Sequence, residues 1–127
     1  MAYATIIAML ALIEYLYFGI QVGAARGRSG VAAPAISGDP AFERAFRAHQ
    51  NTLEQLIIFL PALFAAAYFA NELFAVAAGV AFLIGRAIYF RTYCQDAEKR
   101  GPGMTVTVVA NILLLLGGLI GALLTVF

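Results

Sequence analysis

Charge is scarce in this 127-residue chain: Lys, Arg, Asp and Glu make up 12% of it, against 63% hydrophobic residues and a mean hydropathy of +0.89. That balance excludes an ordinary water-soluble domain. A formal net charge of +1 supplies no broad basic field, so nucleic acid is not an expected partner. With one cysteine, Cys94, there is no intrachain disulfide, and with one histidine there is no cluster at metal-ligand spacing, so no metal site is expected. A single thiol outside any His and carboxylate constellation carries no expected redox or catalytic role. A phosphate-cradling Gly-rich loop ending in Lys-Ser/Thr is missing, as is a Gly-x-Ser-x-Gly elbow. No Lys or Arg precedes the first apolar run, so the basic start of a cleaved signal is lacking and that run is expected to be a retained anchor.

The apolar residues that dominate the chain gather into four runs of about 20, enough to cross a hydrocarbon core of about 30 Å at 1.5 Å per residue. The expectation is an all-α integral membrane four-helix bundle, one domain over residues 1–127, with spans at about 3–22, 42–70, 73–93 and 104–127. The second has a polar start. Asp39 followed by Pro40 is a helix-start signal, because the Asp side chain can accept an orphan N–H bond while Pro needs no donor there. Residues 23–38 and 95–103, rich in glycine and polar residues, are expected to be loops, and Asn71-Glu72 a short turn. Pro61 is expected to bend the second helix.

All eight basic residues, Arg26, Arg28, Arg44, Arg47, Arg86, Arg91, Lys99 and Arg100, lie in or beside the first and third connections. By the positive-inside rule those connections face the cytoplasm. Alanine-rich spans and short loops lean toward a bacterial inner membrane over the endoplasmic reticulum.

Ionisable groups in or beside membrane spans are costly and by default face the bundle interior or an aqueous cavity. At 100° per residue, Glu43, Arg47, Gln50, Asn51 and Glu54 fall within a stripe of about 100° on the second helix. Such a stripe serves either as interhelical polar glue or as one wall of a ligand site. Arg86, Tyr89, Phe90 and Tyr93 share a face of the third helix. Tyrosine is at home at a membrane interface without any ligand, and Arg86 is expected to pair with Glu54 or Glu43. His49 lies about 160° from Arg47 around the helix, away from the stripe. Glu14 is expected to be a buried pairing partner, Asn111 interhelical glue, and Gly117, Gly118 and Gly121 close-packing positions. Guanidinium forks bind carboxylates in pairs of hydrogen bonds, and a carboxylate such as Glu54 holds an ammonium group. The combination suits a small zwitterion bearing more than one carboxylate.

The run Phe42-Glu43-Arg44-Ala45-Phe46-Arg47-Ala48-His49-Gln50-Asn51-Thr52-Leu53-Glu54 resembles the signature of the MAPEG family, and Arg86-Ala87-Ile88-Tyr89-Phe90-Arg91-Thr92-Tyr93 joins it. The resemblance covers essentially the whole chain and implies a homotrimer binding glutathione between adjacent subunits. It further implies that Arg47, Asn51, Glu54, Tyr89 and Tyr93 hold glutathione as co-substrate, that Arg26 touches it, and that His49 stands at a contact position filled by Gln in a relative. Arg100 corresponds to the arginine that activates the thiol. Gly27 and Gln55 depart from relatives that carry Arg and Tyr there.

The implied activity is a membrane glutathione transferase, with glutathione peroxidase activity as a possible extension. Its second substrate would be a hydrophobic electrophile or lipid hydroperoxide reaching the site through membrane lipids. A guanidinium that lowers a thiol pKa of about 8.5 by about two units supplies about 2.7 kcal/mol, enough to ionise most of the thiol near neutral pH. The alternatives are a non-catalytic lipid- or glutathione-binding protein of the same family and a small transporter built around Glu14 and Arg86.

Overall fold

The computed structural model describes all 127 residues. It consists of four helices, α1 (Ala2–Ser29), α2 (Pro40–Phe69), α3 (Glu72–Gln95) and α4 (Gly101–Val126), with a short 3-10 turn (Ala97–Arg100) leading into α4. Each of the four is long and apolar enough to cross a membrane. There are no strands. α2 packs against all three other helices, whereas α1 touches chiefly α2 and α3, and α4 touches α2 and α3.

The core is built from small and aromatic side chains. Ala4, Ile7, Ala8, Ala11, Phe18, Val22 and Ala25 form the buried stripe of α1 at spacings of three, four and seven, the period that keeps one helix face inward. Phe59 of α2 stacks on Phe82 of α3 with ring centroids 3.8 Å apart. The outer surface is apolar as well: Leu16, Ile57 and Leu124 are 65%, 68% and 78% exposed, as suits a bundle solvated by hydrocarbon. Close approach explains the α4 glycines. A Cβ on Gly118 would lie 2.9 Å from that of Ala65, one on Gly117 2.6 Å from the Phe74 ring, and one on Gly121 would strike the Phe69 carbonyl.

The start of α2 follows its sequence signal: Asp39 accepts from the Phe42 N–H at 2.9 Å, with Pro40 at the first helical position. In the short turn at Asn71-Glu72, Asn71 also caps α3, accepting from the Phe74 N–H at 3.0 Å. Asn111 of α4 donates to Gln55 of α2 at 3.0 Å, the interhelical bond expected of it. α2 runs without interruption through Pro61.

Of the two expected loops, the first is helical over its first seven residues and the second over nearly all of its length. α1 continues through 23–29 and stops only at Gly30, whose positive φ of 68° is the left-handed conformation that ends helices. Val22 and Ala25 pack on Phe42 and Ala45 there, and this burial overrides the weak helix preference of Gly23 and Gly27. The second loop shrinks to Asp96 and the 3-10 turn, because Gly101, Pro102 and Gly103 form the first turn of α4, where Pro is tolerated. Arg86 pairs with neither Glu54 nor Glu43. Its hydrogen bonds go to neutral side chains of α2 and α4 instead, and Glu14 has no ion-pair partner either.

Candidate functional site

At the end of the bundle that carries the long connections, a cavity of about 440 Å³ opens between α2, α3 and the start of α4. α2 supplies Phe46, Arg47, Gln50, Asn51 and Glu54, which share a face because they recur at three, four and seven. α3 supplies Tyr89 and Tyr93, one turn apart, with ring centroids 5.5 Å from each other. Arg100 closes the third side from the turn before α4, and Ile36 reaches in from the α1–α2 connection.

The polar groups are available for a ligand. Neither Arg47 nor Arg100 is ion-paired, since the chain's sole salt bridge, between the Met1 amino group and Glu72, lies at the opposite end of the bundle. Arg100 is steadied by a hydrogen bond from Nη1 to the Ala97 carbonyl at 2.6 Å, which leaves its other donors free. Asn51 Nδ2 donates to Glu54 Oε2 at 3.3 Å, so one amide proton and one carboxylate oxygen remain open. The cavity thus offers two guanidinium forks, a carboxylate, two amides and two phenols, the equipment for binding carboxylates and an ammonium group together.

Of the eight residues singled out from the sequence, the fold gathers Arg47, Asn51, Glu54, Tyr89, Tyr93 and Arg100 around this one cavity. It leaves Arg26 and His49 outside. Arg26 donates to the Ala35 carbonyl at 2.7 Å and lies over the Phe42 ring at 4.5 Å, holding the connection after α1 against the helix end. His49 stacks on Tyr15 of α1 with centroids 4.3 Å apart, on the side of α2 that its helical angle predicted. Glu43 belongs to the α2 stripe but does not line the cavity. Cys94 is half-buried away from it, its carbonyl accepting from Arg44 at 3.0 Å.

Gln50, named on the α2 stripe, lines the cavity as well. Two further lining residues were not expected: Phe46, one turn before Gln50 at the edge of the stripe, which helical periodicity locates, and Ile36, which comes from a loop and has no comparable signal.

The MAPEG family model matches residues 3–120. Human microsomal glutathione S-transferase 2 is 39% identical over 114 residues, covering 89% of this chain and 78% of that protein. An uncharacterized protein of Synechocystis is 40% identical over 118 residues, 93% of this chain and 86% of its own. Leukotriene C4 synthase of Rattus norvegicus is 37% identical over 94 residues, 74% of this chain and 63% of its own. A match of this extent, spread over all four helices, places the chain in the MAPEG family.

Proposed function

We propose that this protein is a membrane-bound glutathione transferase that ionises the glutathione thiol in the cavity between α2, α3 and α4. The observation that carries the reading is the convergence of Arg47, Asn51, Glu54, Tyr89, Tyr93 and Arg100 on one space. These residues lie up to 53 positions apart in the chain, and their side chains match the carboxylates, ammonium group and peptide of glutathione. Relatives named as glutathione S-transferase and leukotriene C4 synthase support the same substrate.

Arg100 is the activating residue. A guanidinium has no lone pair to serve as a base, so its part is electrostatic: it stabilises the thiolate while the proton leaves to water. The sulfur then attacks an apolar electrophile arriving from the bilayer, forming a carbon–sulfur bond as the leaving group departs or an epoxide opens. With a lipid hydroperoxide the sulfur attacks the outer oxygen and the lipid alcohol leaves; a second glutathione then resolves the sulfenic acid to disulfide and water. The assembly is a homotrimer in which Arg26 and His49, outside their own chain's cavity, contribute from an adjacent subunit. The cavity faces the cytoplasm, where the basic connections lie. The host is a bacterial inner membrane.

Ultraviolet absorbance of the thiolate on mixing glutathione with detergent-solubilised protein tests this. Wild type is expected to give a stoichiometric signal and Arg100→Ala none, with glutathione still bound in calorimetry. Binding without a thiolate signal in wild type would indicate a non-catalytic ligand-binding protein. Absence of binding would overturn the glutathione reading.

A further inference from the structure

Arg86 is wholly buried in α3, yet no carboxylate lies within ion-pairing distance of it. An unpaired cation at such a place is expensive, and an apolar side chain of similar size would hold a bundle together at less cost. Its contacts account for its presence. Nη2 donates to Asn51 Oδ1 at 3.2 Å and to Thr52 Oγ1 at 2.9 Å, both on α2. The guanidinium carbon sits 4.0 Å from the centre of the Tyr89 ring, and Nη1 points to the Met104 sulfur, 3.9 Å away on α4. One side chain therefore touches all three helices that wall the cavity, from behind two of its lining residues.

We propose that Arg86 is a positioning residue that sets which end of Asn51 meets the ligand. A guanidinium can only donate, so the Asn51 carbonyl oxygen must turn toward it and the amide nitrogen toward the cavity. The nitrogen is found there, with one bond to Glu54 and one proton to spare. Asn51 is thereby committed to greeting an acceptor, a carbonyl or carboxylate of the bound molecule, and Glu54 is held beside it to greet a donor. The stacking contact fixes the Tyr89 ring in the same way. The proposal rests on the reading of this cavity as the ligand site, while the orientation of Asn51 is a property of the unliganded protein.

Two measurements on the intact, solubilised protein separate the claims. The first is the side-chain amide NMR signal of Asn51 without ligand, assigned by its loss in Asn51→Asp. In wild type it is expected to be shifted from the free-amide position, because Oδ1 accepts from a cation, and in Arg86→Met to move to the free-amide position. The second is a double-mutant cycle on glutathione affinity. Arg86→Met and Asn51→Ala are each expected to weaken binding by about tenfold or more, and the double variant by little beyond either. If Arg86→Met does not give a folded bundle, Arg86→Gln carries both tests. Its amide accepts as well as donates and bears no charge, so the Asn51 oxygen is no longer held toward it, the signal should still move and affinity still fall. An Asn51 signal indifferent to these substitutions, or losses that simply add, would overturn the positioning role. A wild type that binds no glutathione, with an Asn51 signal still governed by Arg86, would overturn the functional reading and uphold the positioning role.

Discussion

Gly103 of α4 lies against the backbone of Tyr89 on α3 so tightly that a Cβ at that position would collide with the Tyr89 main chain. Gly103 comes three residues after Arg100, so the contact sets how far Arg100 stands from the two tyrosines across the cavity. Gly103→Ala must push the start of α4 outward. The expected cost is about 1–3 kcal/mol of stability, together with a weaker thiolate signal at saturating glutathione. Thermal melts and thiolate absorbance on the same preparation check both. An unchanged signal would mean that the spacing of α3 and α4 does not control Arg100.

Arg100→Lys keeps a positive charge but replaces the fork with a point charge, and it loses the geometry of the bond to the Ala97 carbonyl. The bound thiol is expected to titrate about one unit higher than in wild type, since part of the electrostatic stabilisation survives. Thiolate absorbance followed against pH reads the midpoint directly. A midpoint equal to that of Arg100→Ala would mean that the fork matters and the charge does not.

Asp39 caps α2 while accepting from the Ser29 hydroxyl at 2.9 Å, so it ties the end of α1 to the start of α2. The Phe42 N–H, and after it the Ser29 hydroxyl, hold its carboxyl below the ordinary carboxylate value. The folded state therefore binds this proton less readily than the unfolded one. The contribution to stability is complete above the unfolded pKa of about 3.9 and is lost as pH falls through the lower folded value. Asp39→Asn retains a cap but has nothing to titrate. Between pH 6 and about 2.5 its melting temperature is expected to fall less than that of wild type.

Asn111 and Gln55 make a polar bond between α4 and α2 within the apolar part of the bundle. Removing one partner strands the other in a medium without water, whereas removing both does not. Gln55→Leu alone is expected to destabilise by about 1–2 kcal/mol, and Gln55→Leu with Asn111→Leu by less. Denaturation in mixed micelles measures both. A double variant worse than the single one would place the value of the pair in packing.

Much of the site was legible because it lies on helices. Arg47, Asn51 and Glu54 share a face by the 3.6-residue period, and Tyr89 and Tyr93 by the same rule, so each wall is a local property of the chain. The same arithmetic turned His49 away from the α2 stripe, and the structure stacks it on Tyr15. Arg86 was misread for a complementary reason. A buried arginine suggests a carboxylate partner, but which neutral groups lie across an interface depends on the rotation of two helices about their axes, which no single helix encodes.

Four apolar runs, the cap at Asp39, the short turn at Asn71-Glu72, and the crowding of every basic residue around two of the three connections are written in the order of residues, because chain length, hydration and hydrogen-bonding capacity are local quantities. Tertiary packing decided how far the helices extend. Gly23 and Gly27 became helix because Val22 and Ala25 had Phe42 and Ala45 to bury against. It also decided that Arg100 meets Tyr89 and Tyr93, and that Arg86 reaches Asn51 across 35 residues of sequence. Such meetings follow from the spacing and rotation of packed helices, and these are set only when side chains of all four interlock.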